Sequence, residues 1–239
     1  MYVRLAKYFL LIIILLLLPI KGQYNDKDFG LSFSANYTTT ARLYLNPNAI
    51  ERLLREENLE IEDIYSYAFE IRYRVSDSFL VGIGTEYVEK VAKLINVIGF
   101  PSQLAGIEIN EGFTLIPVEL SGYYFIPFST ESLKFYMGGG LGIYFGSYIR
   151  EFGTLEVETV NQDFAWGIHG RIGMDYMFSD FFSLRGEMKF RDPDFNMENK
   201  YTSNSFVYQG NVINLPQEPF ATRVNIEGMT FSLAAVVYF

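Results

Sequence analysis

Cysteine is absent from the 239 residues. That excludes disulfide staples, thiol catalysis and a lipid-modified amino-terminal cysteine. Histidine occurs once, at His169, which excludes metal sites built from several histidines. Basic side chains are scarce, with 19 Lys and Arg against 28 Asp and Glu. Such a surface lacks the clustered cations that a phosphate backbone requires, so nucleic acid is not an expected partner. Apolar runs long enough for a spanning helix are also missing after the first segment.

That first segment has its own pattern. Arg4 and Lys7 precede an unbroken apolar run from Phe9 to Leu18, followed by Pro19, Ile20, Lys21 and Gly22. An h-region of about 7–15 residues after a positive start is the layout of a secretory signal peptide, whereas a retained anchor needs about 20 apolar residues. Residues 1–22 are expected to be the signal peptide and 23–239 the mature domain. Removing the three basic residues of 1–22 from a net charge of −9 leaves −12.

What remains is rich in aromatics, with 18 Tyr and 22 Phe, and alternates with period 2. Phe231, Leu233, Ala235, Val237 and Phe239 share one face of the last segment. Tyr65, Tyr67, Phe69, Ile71 and Tyr73 alternate with Ser66, Ala68, Glu70, Arg72 and Arg74. This is the strand signal. Eight strands are expected, over 28–38, 64–75, 79–89, 112–126, 133–148, 162–178, 181–191 and 227–239. An extra hairpin from 205–213 and 219–226 would raise the count to ten.

The connectors alternate in length. Residues 76–78, 127–132 and 179–180 are short, while 39–63, 90–111, 149–161 and 192–226 are long. Short turns on one side and long loops on the other are the layout of an outer-membrane β-barrel. In hydrocarbon every backbone N–H and C=O must be paired, and a sheet achieves this by closing on itself. Aromatics near strand ends fit the two interfaces. Tyr37, Tyr65, Tyr87, Phe113, Phe145 and Phe164 are expected at the outer one, and Phe79, Tyr124, Phe135, Tyr176, Phe182 and Phe239 at the inner one. The fold expected is an all-β, membrane-spanning, antiparallel up-and-down barrel, with a soluble β-sandwich as the architectural alternative. A short helix is expected at Ala49–Asn58 in the first external loop, capped by Asn46 with Pro47 at its first position.

The segments FLVGIGTEY (Phe79–Tyr87), FTLIPVELSGYYFIP (Phe113–Pro127) and KFYMGGGLGIYF (Lys134–Phe145), with the terminal MTFSLAAVVYF, resemble the small outer-membrane barrels of the protein A, X and W or opacity type. The resemblance implies an outer-membrane location, contact with outer-membrane lipid and lipopolysaccharide, and Phe239 as the signal read by the barrel-assembly machinery. It implies a monomer, with external loops free to meet an extracellular partner.

If the apolar faces meet lipid, the opposite faces meet one another. Glu70, Arg72, Glu86, Glu119, His169, Arg171, Asp175, Arg185, Glu187 and Lys189 then share the interior. An eight-stranded interior is just wide enough to be filled by side chains. The cluster is either a plug of ion pairs or the lining of a narrow polar pore. Gly138, Gly140 and Gly142 lie on one inward row and leave room for long side chains from other strands. His169 is the one candidate general base, but it is expected near mid-lumen, whereas a lipid-modifying pair would sit at the outer leaflet or rim, where Asp163 has no clear His or Ser partner. Asp192, Asp194, Asn196 and Glu198 resemble the start of a calcium loop, but Met197 and Ser203 stand where its Gly and Glu belong. No metal, cofactor or catalytic set is expected. The expected role is structural or interactive, with the external loops as contact surface; the alternatives are a narrow channel or small-molecule conduit, and a lipid-modifying enzyme.

Overall fold

The computed structural model describes residues 27–100, 103–130, 132–153, 155–208 and 210–239; the expected signal peptide, 1–22, lies outside them. Strands β1 (Phe29–Tyr44), β2 (Asn58–Arg74), β3 (Phe79–Phe100), β4 (Gln103–Phe125), β5 (Leu133–Phe152), β7 (Ala165–Ser179), β8 (Phe182–Arg191) and β13 (Met229–Tyr238) form a ring of antiparallel neighbours in that order. It closes where β1 pairs β13, from Gly30↔Tyr238 to Thr38↔Thr230. Phe29 and Phe239 exchange two backbone hydrogen bonds of 3.1 and 2.9 Å at the seam. The ring therefore has eight strands, as the alternation predicts.

Its outward face is apolar over a continuous belt. Phe33, Tyr67, Ile83, Leu120, Leu141, Ile168, Ile172 and Leu233 are all exposed. A soluble protein does not present a contiguous apolar surface of this extent to water. On β7 the belt runs from Trp166 to Tyr176. About ten residues of strand, tilted by about 40°, rise about 25 Å, the height of a membrane barrel's apolar band. Tyr65, Tyr87, Phe145 and Phe164 are exposed at one margin, and Phe79, Tyr124, Tyr176 and Phe239 at the other. Phe113 departs from the expectation. It points inward and is fully buried, because it lies on the same row of β4 as Leu115 and Glu119.

Above the belt the wall continues, and four expected loops are largely strand. The β3–β4 hairpin pairs as far as Phe100↔Gln103. Strands β6 (Leu155–Gln162), β9 (Asp194–Tyr201) and β12 (Phe220–Asn225) extend the lines of β7, β8 and β13, pairing β5–β6–β9–β12–β1. Residues 219–226 thus join the wall and do not form a hairpin with 205–213. That hairpin is made by β10 (Ser205–Tyr208) with β11 (Asn211–Asn214). The helix, α1 (Arg52–Glu56), is shorter than expected and starts after Glu51 with no side-chain cap. Asn46 accepts from the Ala49 amide in a turn (3.1 Å) instead of capping. Ile50 and Leu53 are exposed, so α1 does not pack across the barrel mouth.

Inside this external section the row chemistry reverses. On β4, Ile107, Ile109 and Phe113 face in, while Glu108 and Asn110 stand toward water. Leu43, Ile61, Phe113, Leu115, Phe195, Met197, Val224 and Ile226 form one buried cluster. With water outside, the apolar row turns inward; with lipid outside, it turns outward. The β10–β11 hairpin closes over a second apolar group, with Phe206 edge-on to Phe152 at 4.5 Å.

Candidate functional site: a charged layer across the lumen

At belt height the inward rows of five strands converge. β2 supplies Glu70 and Arg72, β3 Glu86, β4 Glu119, β7 His169, Arg171 and Asp175, and β8 Arg185, Glu187, Lys189 and Arg191. All ten residues read from the sequence enter the lumen. Arg191 is an eleventh, which that reading missed, although the period-2 row Arg185, Glu187, Lys189 leads straight to it.

The contacts form a connected network. Arg171 bridges three carboxylates, Glu119, Glu187 (3.2 Å) and Glu70 (3.3 Å). Arg72 reaches Glu70 (2.7 Å) and Glu187 (2.8 Å). Arg185 forks onto Asp175 through Nε (2.6 Å) and Nη2 (2.9 Å). Lys189 joins Glu86 (3.0 Å) to Glu119 (3.2 Å), and Arg191 donates to Glu86 at 2.7 Å. Hydroxyls complete several acceptors: Tyr136 to Glu187 (2.7 Å), Tyr238 to Asp175 (2.6 Å) and Tyr123 to Glu70. Five cations (Arg72, Arg171, Arg185, Lys189, Arg191) meet five carboxylates (Glu70, Glu86, Glu119, Asp175, Glu187), so the layer is neutral with His169 uncharged.

The layer is enclosed above and below. Toward the short turns, Tyr123 and Tyr136 pack edge-on at 5.6 Å with Leu80 and Phe125, and the Arg72 guanidinium lies 3.6 Å from the Tyr123 ring centre. On the external side the apolar cluster begins at once. The void among the charges, beside Ser32, Asn36 and Ala234, measures about 40 Å³. That admits a few waters and nothing larger.

The glycines of β5 make the packing fit. A Cβ on Gly138 would lie 2.5 Å from Tyr123 Cδ1 and 2.7 Å from the Gly122 carbonyl oxygen. The replacement Gly138→Val must therefore displace the ring that donates to Glu70. It is expected to lower stability by about 1–3 kcal/mol, read as a lower urea midpoint for the refolded barrel. An unchanged midpoint would show that Tyr123 has room to move.

His169 has a partner that the sequence reading did not identify, because Ser121 lies on another strand. The Ser121 hydroxyl is 2.8 Å from His169 Nε2. Nδ1 has no hydrogen-bond partner among the described residues. Both residues are buried behind the belt, and among the described residues no carboxylate accepts from Nδ1 to orient the ring.

A smaller polar cluster lies in the external section. Arg150 donates to Glu111 (2.6 Å) and to the Tyr201 hydroxyl (3.0 Å), and Tyr148 donates to Glu111. Burial pushes the Tyr148 hydroxyl well above its ordinary range, so it remains a donor. The acids of 192–198 do not form a metal loop. Asp194, Asn196 and Glu198 point outward from β9, and Phe195 and Met197 fill the core between them.

No protein-family model matches the sequence, and no curated protein does. Among solved structures, the chain is similar to the outer membrane protein OprG from Pseudomonas aeruginosa, at 12% identity over 89% of this chain and 96% of that one, with a TM-score of 0.61. Neisserial surface protein A shows 16% identity over 88% and 97% of the two chains at a TM-score of 0.46. The outer membrane protein AlkL shows 16% over 92% and 93% at 0.43. The likeness to OprG establishes the fold. In that fold, and in the belt of apolar side chains around it, this chain is a small outer-membrane β-barrel.

Proposed function

We propose that the chain is a sealed outer-membrane barrel that anchors a rigid external β-sheet, and that this sheet is its contact surface in the cell envelope. The observation that carries the reading is the filled lumen: a neutral, cross-paired layer of five cations and five carboxylates lies between an aromatic floor and an apolar core. A narrow channel needs a continuous polar path, and the packed core above the charges offers none. The inaccessible Ser121–His169 pair favours a role without catalysis. Within the same reading, residues 1–22 direct secretion and are removed. Phe239, half-exposed at the end of the closing strand, is the mark that the assembly machinery reads. Ion conductance of the refolded barrel tests the proposal, with a silent bilayer expected and steady wild-type current against it.

A further inference from the structure

The wall of the external section is open along one line. Strands β2 and β3 pair from Arg74↔Leu80 up to Ser66↔Val88, and the ladder stops there. Above that point β2 pairs only β1, as far as Tyr44↔Asn58, and β3 pairs only β4. Among the described residues no strand takes the free edge of either. Among the described residues one hydrogen bond crosses the opening, from Lys90 Nζ to the Asp63 carbonyl (2.9 Å). In an antiparallel pair every second residue turns its N–H and C=O away from its partner. An edge of this kind is a template for another extended chain.

The side chains along the β2 edge specify which chain. Asn58, Glu60 and Glu62 form its exposed outward row, and Leu59 and Ile61 face the apolar core. Asp63, also exposed, has a left-handed backbone (φ 55°). Neutral hydroxyls donate to two of these acids, Thr40 to Glu60 (3.3 Å) and Tyr37 to Asp63 (2.8 Å). Arg42 stands opposite Glu60 on β1, but its close ion pair is with Glu227 (2.9 Å); among the described residues no cation lies within ion-pair distance of the Glu60, Glu62 or Asp63 carboxylates. On the facing β3 edge, Lys93 is already paired with Glu108 (2.9 Å). The β2 edge is therefore acidic outside and apolar inside.

We propose that β2, from Asn58 to Tyr65, is a docking strand for an extended segment of an extracellular partner that alternates basic and apolar residues. Backbone pairing supplies the affinity and the alternating row supplies the specificity. The proposal rests on the contact-surface reading above and names its site. A second copy of this chain is disfavoured as the occupant, since two β2 edges would set Glu60 and Glu62 against their own equivalents, and like charges directly opposite destabilise a pair.

The test uses the full barrel refolded in uncharged detergent and a short, fluorescently labelled peptide that alternates Lys and Val. Saturable binding by anisotropy is expected. Glu60→Lys with Glu62→Lys should weaken it by about tenfold or more, and Glu60→Gln with Glu62→Gln by less. Peptides N-methylated at alternate backbone amides, made in both phases, should include one that binds about tenfold more weakly. Retained heat-dependent gel mobility confirms that each variant is folded. Absence of saturable binding overturns the proposal, as does equal binding to the Lys variant. Equal binding by both N-methylated peptides also overturns it, by reducing the contact to charge alone. None of these outcomes bears on conductance, so the sealed-lumen reading stands or falls separately.

Discussion

Replacing Arg171 with Met lowers the stability of the barrel by about 3–5 kcal/mol, the cost of breaking a buried ion pair from one side. Arg171 is the best-connected cation of the layer, shared by Glu70, Glu119 and Glu187, with the Tyr123 hydroxyl 3.1 Å from Nη1. Its loss leaves three carboxylates in a space that admits only a few waters. Their close remaining cations are each shared between two acids: Arg72 between Glu70 and Glu187, and Lys189 between Glu86 and Glu119. The measurement is the urea midpoint of the refolded protein, followed by the heat-dependent gel shift. Adding Glu119→Gln to Arg171→Met should recover part of the loss, because it removes one of the stranded charges. A midpoint unchanged by Arg171→Met would mean that the carboxylates are hydrated, and that the lumen is wet.

Phe195→Ala is expected to cost about 3–5 kcal/mol as well, through lost burial and the cavity left behind. The reason is different. Phe195 lies in the external core, and a Cβ on Gly146 would come within 2.6 Å of its ring, so backbone and side chain are already in close contact. The ring of eight strands below is held by lipid and by its own ladder. The loss should therefore appear as loosening of the external section alone. Limited proteolysis is expected to cut the variant within β6 or β9 while the belt strands stay protected and the gel shift is retained. Cleavage of wild type and variant at equal rates would show that the external sheet does not depend on this core.

The sequence announces these two halves unequally. Within the belt, apolar residues alternate with charged ones, as in Trp166, Ile168 and Ile172 against His169 and Arg171, and the long apolar face has no other use than lipid. The strands and the inward charges follow directly from that period. Above the belt the alternation persists with its sense reversed. Phe195 and Met197 turn inward and Asp194, Asn196 and Glu198 outward, so a stretch of surface acids resembles a loop. On β1 and β2 the inward row also changes parity near Thr39 and Asp63, from Ser32 and Asn36 to Ala41 and Leu43, and from Ser66 and Glu70 to Ile61. The two strands stay in register across this point, and Asp63 is left-handed there; period counting along one strand cannot carry through such a change of face. The charged layer was legible as a set of residues facing one interior. Its pairing was not, because Arg191 with Glu86 and Ser121 with His169 meet across strands distant in the chain.

Single-channel recording from the refolded mature barrel in a planar bilayer tests the central claim most directly. It should be run beside a variant carrying Arg72→Ser and Arg185→Ser. The wild type should be silent. Opening the layer on the β2 and β8 side should admit water to the charges, while the apolar core above holds any current in the variant to brief, small events. Steady ohmic current through the wild type, altered by the two substitutions, would contradict the account. The same eleven side chains would then be the lining of a pore.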